Sequence, residues 1–259
     1  MPRLPRRLKH GESATLVEHL EELRTRLIVS LLAVVVFFIP TYAFRKTLID
    51  WLQGPVPEGF ELTTLSPGEP FMTSFTVALY AAVALAVPVV VWQIWAFLAP
   101  ALPERSQLVV VRLIAAATVL LFCGMAFAYW VVLPNAIGFL LEFDSEIYAT
   151  QLRAREYLSF AALLLVGLGV MFQLPIFILG LVRLGILSSA RLRRNRRIGY
   201  GIALLAVVFL PGVEFVSMAL QAAPVMLLFE ASIWLSIFFE RRWEASGVLP
   251  EPRFGTGDS

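Results

Sequence analysis

The chain has 259 residues, 59% of them hydrophobic and only 15% charged, with 21 basic side chains against 19 acidic ones. A soluble domain of this length covers its surface with far more charge, so a mean hydropathy of +0.79 excludes an ordinary water-soluble fold. The net charge of +2 selects no class of partner, and the single Cys123 excludes an intrachain disulfide.

Charge-free intervals define the elements. A helix rises about 1.5 Å per residue, so about 20 apolar residues cross a bilayer's hydrocarbon core. No charge lies between Arg26 and Arg45, Glu69 and Glu104, Arg112 and Glu142, Glu156 and Arg183, or Arg197 and Glu214. These intervals predict spans over 27–44, 71–98, 113–133, 158–182 and 198–210. A sixth, 215–239, is interrupted only by Glu230. The expected fold is an all-α integral membrane protein of six transmembrane helices. Residues 1–259 read as a single membrane domain, with 1–15 and 243–259 as tails. The basic start runs into further charge up to Arg26, not into a short apolar core with a cleavage site, so the first span reads as a retained helix.

The last two spans are read as short. Residues 198–210 make 13 positions, about 20 Å of helix against a core of about 30 Å. Such a helix thins the bilayer or hides in protein. Pro40, Pro88, Pro175 and Pro224 punctuate the spans and tend to kink them. Together these features favour a concave bundle.

Six spans sort the basic residues by side. One face receives the N-terminal group Arg3 to Arg26, then Arg105 and Arg112, the run Arg183 to Arg197, and Arg241, Arg242 and Arg253. The other holds only Arg45, Lys46, Arg153 and Arg155. Seventeen of the 21 thus share one side, which places both termini in the cytoplasm. The outer loops 45–70 and 134–157 are long and acidic, and such loops carry function or cap a cavity more often than they merely connect.

Polar groups are sparse. Leu16, Leu20, Leu23 and Leu27 recur at helical spacing before the first span, with Glu18, Glu21 and Glu22 beside them. This is either a solvated helix start or a binding face. Glu230 is the one carboxylate inside a span, and Gln173 is a polar group at depth; both need partners there. Gln93 sits between Trp92 and Trp95 near the cytoplasmic end of the second span. The chain lacks a phosphate-binding glycine loop with its lysine, an HExxH pair and a nucleophile elbow. With only His10 and His19, neither a metal site nor catalytic residues are expected, and no cofactor. The basic cluster 191–197 abuts a span, so it points to anionic lipid and not to nucleic acid.

The segment His19-Leu20-Glu21-Glu22-Leu23-Arg24-Thr25-Arg26-Leu27 resembles the HLxELRxRL signature of TatC, the core subunit of the twin-arginine protein translocase. Pro67 to Met72 is similar to the family's P-x-E-x-F outer-loop motif, and Pro88 to Pro100 to the end of its second span. Gly124 to Tyr129, Tyr157 to Phe160 and Phe172 to Pro175 also fit, in order, over about residues 16 to 240.

The resemblance implies a receptor and scaffold, not an enzyme. It would take twin-arginine signal peptides and pass folded proteins outward on the proton-motive force, with single-span TatA-like and TatB-like subunits, in a self-associating complex of a prokaryote's inner membrane. It assigns signal-peptide binding to Glu22, Leu23, Arg24, Phe97 and Glu104, and outer-face roles to Phe71 and Glu214. The loop around Glu104 is one residue shorter than the family's. Gln173 stands where the family has a buried glutamate, and Pro211-Gly212-Val213-Glu214 replaces T-P-P-D. The competing reading is a proton-coupled small-solute transporter working through Glu230 or Glu214; a membrane-embedded enzyme has no catalytic constellation behind it.

Overall fold

The computed structural model describes residues 16–98, 107–143, 145, 147, 151–183, 185–212 and 215–245. The tail 1–15, Glu104 and Glu214 lie outside the described residues. Helix α1 (Leu16–Ala43) runs through Pro40 without a break. The next residue, the buried Thr41, bonds the Phe37 carbonyl one turn back and crosses to the Ala78 carbonyl, both at 2.9 Å. That carbonyl belongs to α3 (Glu69–Leu98), which lies antiparallel along α1.

Part of the predicted loop 45–70 is a helix, α2 (Arg45–Gln53). Its apolar Leu48, Ile49 and Leu52 pack on the core, and the Gly54 N–H caps its end by donating to the Trp51 carbonyl. Two tyrosines add to this capping. Tyr129 Oη donates to the Trp51 carbonyl at 2.8 Å, and Tyr157 Oη donates to that of Leu52 at 2.7 Å. The Trp51 and Tyr129 rings stack 4.0 Å apart, nearly parallel.

Helix α4 (Gln107–Phe127) passes through a π-helical turn, Ala128–Val132, into α5 (Leu133–Glu142). The boundaries expected at 133 and 134 therefore fail. Pro134 sits in the first turn of α5, after the wide turn, where a missing N–H and a bulky ring are tolerated. The second loop shrinks accordingly.

Helices α6 (Ala154–Met171) and α7 (Leu174–Arg183) are divided at Phe172 and Gln173, just before Pro175. Helix α8 (Ser189–Arg194) is capped by Ser188, whose Oγ accepts from the Arg191 N–H, and leads into α9 (Arg196–Val208). The final helix α10 (Phe215–Ala245) has 31 residues, so only α9, with 13, is short. Pro224 does not end α10, because one face of it stays buried on both sides. Ser217, Gln221, Val225, Phe229, Ile233 and Ser236 recur at helical spacing and are all under 9% exposed. Charges at 240–242 continue the helix and do not terminate it, and the helix enters the expected tail as far as Ala245.

Among the described residues, five segments are long and apolar enough to cross a membrane: His19–Ala43, Glu69–Phe97, Ile114–Glu142, Ala154–Arg183 and Phe215–Glu240. Their outer faces remain apolar; Leu31, Val35 and Ile39 of α1 are all more than half exposed, as lipid-facing side chains are. The core has a large cluster around Val132, Leu133, Leu164 and Leu168. A second gathers Val91, Trp95, Ala117, Ile176 and Leu179. Trp95 fits only because residue 180 is glycine, whose added Cβ would lie 1.7 Å from the indole.

Candidate functional site

Charged side chains collect at the two ends of the α1–α3 pair. At the first end, Glu22 and Arg26 stand one turn apart on α1, the spacing at which side chains meet. Arg26 Nε and Nη2 both donate to Oε1 of Glu22, at 3.0 and 2.5 Å. The same guanidinium reaches α3: Nη1 donates to Gln93 Oε1 at 3.3 Å and Nη2 to the Ala96 carbonyl at 3.0 Å. Both charged side chains are about a quarter exposed (26% for Glu22, 23% for Arg26). His19, a turn earlier, packs its ring 4.4 Å from that of Phe97.

The structure thus brings Glu22 and Phe97 together and leaves the neighbouring Leu23 and Arg24 exposed beside them. What the sequence reading missed is the go-between, Arg26, and its anchor Gln93. The i, i+4 spacing of Glu22 and Arg26 was a usable signal. A lone amide ending an apolar run was a weaker one.

At the other end, Glu69 is 4% exposed although it is a carboxylate. Arg153 Nε donates to its Oε1 at 2.9 Å and Nη2 to Oε2 at 3.3 Å, and the Leu65 N–H also donates to Oε2. Arg153 holds Glu156 as well, at 3.0 Å. The hydrogen bond that Arg153 donates to Glu69, reinforced by the one to Glu156, raises the Arg153 pKa above its already high ordinary value. Beside this pair the two loops join through Thr63, whose N–H donates to Leu152 O while its carbonyl accepts from the Ala154 N–H. The P-x-E-x-F acid is therefore a clasp between loops; Phe71, two residues on, is 58% exposed.

The intramembrane polar residues are structural ties. Gln173 is 2% exposed, and its amide nitrogen donates to the carbonyls of Ala117 on α4 and Gly169 on α6, at 3.1 and 3.3 Å. Glu230 on α10 accepts from Tyr200 Oη and lies 3.5 Å from Arg196 Nη1, both on α9. A carboxylate so engaged ties two helices together.

Long apolar helices with polar clusters at the two ends define a polytopic helical membrane protein. The family model described as Sec-independent protein translocase protein (TatC) matches residues 18–224. The TatC of Carboxydothermus hydrogenoformans is 34% identical over 235 residues, covering 90% of this chain and 96% of its own. That of Escherichia coli K12 is 33% identical over 232 residues, covering 88% and 90%. A crystal structure of the twin-arginine translocase receptor TatC in DDM superposes with a TM-score of 0.76 at 32% identity, over 84% of this chain and 99% of that one. The chain belongs to the TatC family and is a component of a Sec-independent protein translocase.

Proposed function

We propose that the chain is the signal-peptide receptor and core scaffold of a twin-arginine translocation system in the cytoplasmic membrane of a prokaryote. Folded precursors would be exported on the proton-motive force, together with TatA-like and TatB-like single-span subunits and further copies of the chain. In this reading the chain is one domain, α9 is the sixth crossing, the bundle is concave and both termini are cytoplasmic. The grouping of seventeen of the 21 basic residues on one side supports that orientation, and the arginines of α8 and α9 would face anionic lipid.

One observation carries the reading: the quarter-exposed carboxylate of Glu22 near the N-terminal end of α1, with an aromatic, Phe97, held against His19 one turn away. Guanidinium groups seek carboxylates in charge-assisted pairs, so such a group suits an incoming arginine. Leu23, Arg24 and Glu104 belong to the same proposed surface, and Glu214 and Phe71 to the opposite face. The test is photo-crosslinking in native membranes from the exposed position 23, which leaves the Glu22 carboxylate in place. A precursor with Arg-Arg in its signal is expected to crosslink, and one with Lys-Lys to lose the adduct. Equal adducts with both, while the protein stays stably inserted, would refute recognition at Glu22.

A further inference from the structure

We infer that Arg26 is a positioning residue for recognition: it clamps one oxygen of Glu22 against α3 and so presents the other to an incoming guanidinium. The inference rests on the signal-peptide reading above. An ionised carboxylate offers about four acceptor sites on its two oxygens. Both hydrogen bonds from Arg26 fall on the same one, Oε1. Among the described residues Oε2 accepts nothing, and the side chain is 26% exposed.

The clamp is itself anchored. Arg26 places two further donors on Gln93 Oε1 and the Ala96 carbonyl, so α1 and α3 share one guanidinium. Without it, Glu22 would regain the rotamer freedom of an exposed glutamate, and a guest arginine would have to order the side chain as it binds. A planar fork can grip one oxygen with two N–H groups while a third reaches α3; an ammonium is a point charge and cannot. The opposite possibility is that Arg26 competes with the guest for Glu22. The two make opposite predictions.

The test uses the full-length protein in lipid nanodiscs and two fluorescent synthetic signal peptides, one with Arg-Arg and one with Lys-Lys. Arg26→Gln is expected to weaken Arg-Arg binding about tenfold, the order of one hydrogen bond to a charged group, and to leave Lys-Lys binding nearly unchanged. Arg26→Lys should restore membrane abundance but not the preference for Arg-Arg. A purely structural role would lower both affinities together. Gln93→Ala removes one of the two anchors, leaves Arg26 itself in place, and should cost preference in the same direction; it decides the matter if Arg26→Gln fails to insert. Unchanged or tighter Arg-Arg binding in these variants overturns the clamp. If Glu22→Gln keeps full Arg-Arg preference, the underlying recognition reading falls, and that result is distinguishable because it does not involve Arg26.

Discussion

Replacing Arg153 by methionine is expected to deplete the protein from membranes several-fold, whereas replacing Arg153 and Glu69 together, by methionine and glutamine, should recover most of the loss. Glu69 is 4% exposed, and its two oxygens accept from Arg153 and the Leu65 N–H. Arg153 is a third exposed but Glu69 is not, so deleting the arginine leaves a buried carboxylate without its counter-ion, which costs more than the intact pair is worth. Deleting both removes that charge. Marginal stability then converts the difference into steady-state abundance. The loop register joined through Thr63 and Leu152 depends on the same clasp, so limited proteolysis should cut the single variant first between residues 54 and 68. Quantitative immunoblots of membranes measure the main effect; equal abundance of single and double variants would rule out the clasp.

How much of this was legible beforehand depends on the range of the interaction. The spans followed from runs of uncharged residues, which report lipid exposure directly, and five of the six predicted segments are long enough to cross. Local contacts were also within reach: Glu22 and Arg26 stand at the spacing of helix neighbours. Pairings across the fold were not. Nothing in the chain says that Glu69 meets Arg153, 84 residues away, or that Glu230 meets Tyr200. The end expected at 133 failed for a related reason. The chain continues through a π-helical turn into α5, and such a turn has no compositional mark. The loop helix α2 was hidden by the Gly and Pro residues that follow it, although its own Leu48, Ile49 and Leu52 carry a helical pattern. The length of α10 was missed because charged residues at 240–242 looked like a stop.

The second large effect is expected at Gly124, where Gly124→Val should abolish stable accumulation while Gly138→Ala is tolerated or mildly stabilising. Both glycines lie in apolar helices, so composition does not separate them; their surroundings do. A Cβ at 124 would meet the Gly169 Cα and the Leu168 carbonyl at 2.9 Å, and the Phe172 ring at 2.8 Å. Two of these are backbone atoms of α6, which cannot turn aside as a side-chain tip can. In lipid, helices associate chiefly through close packing and interhelical hydrogen bonds, so a wedge at the point of closest approach removes both. Gln173 shows what would be lost with it, because its bond to Ala117 O ties α4 to the turn just beyond α6. Its Oε1 already lacks a hydrogen-bond partner among the described residues, so separation would leave the buried amide with only its Gly169 carbonyl contact. Overpacking alone costs about 1–3 kcal/mol, and an unsatisfied buried amide about 1–3 kcal/mol more. At Gly138 a Cβ meets nothing within 4 Å, so alanine there should stabilise α5 by up to about 1 kcal/mol through its helix propensity. Thermal unfolding of the two purified variants in detergent separates the cases. A Gly124→Val protein that melts with the parent would show that α4 and α6 do not depend on this approach.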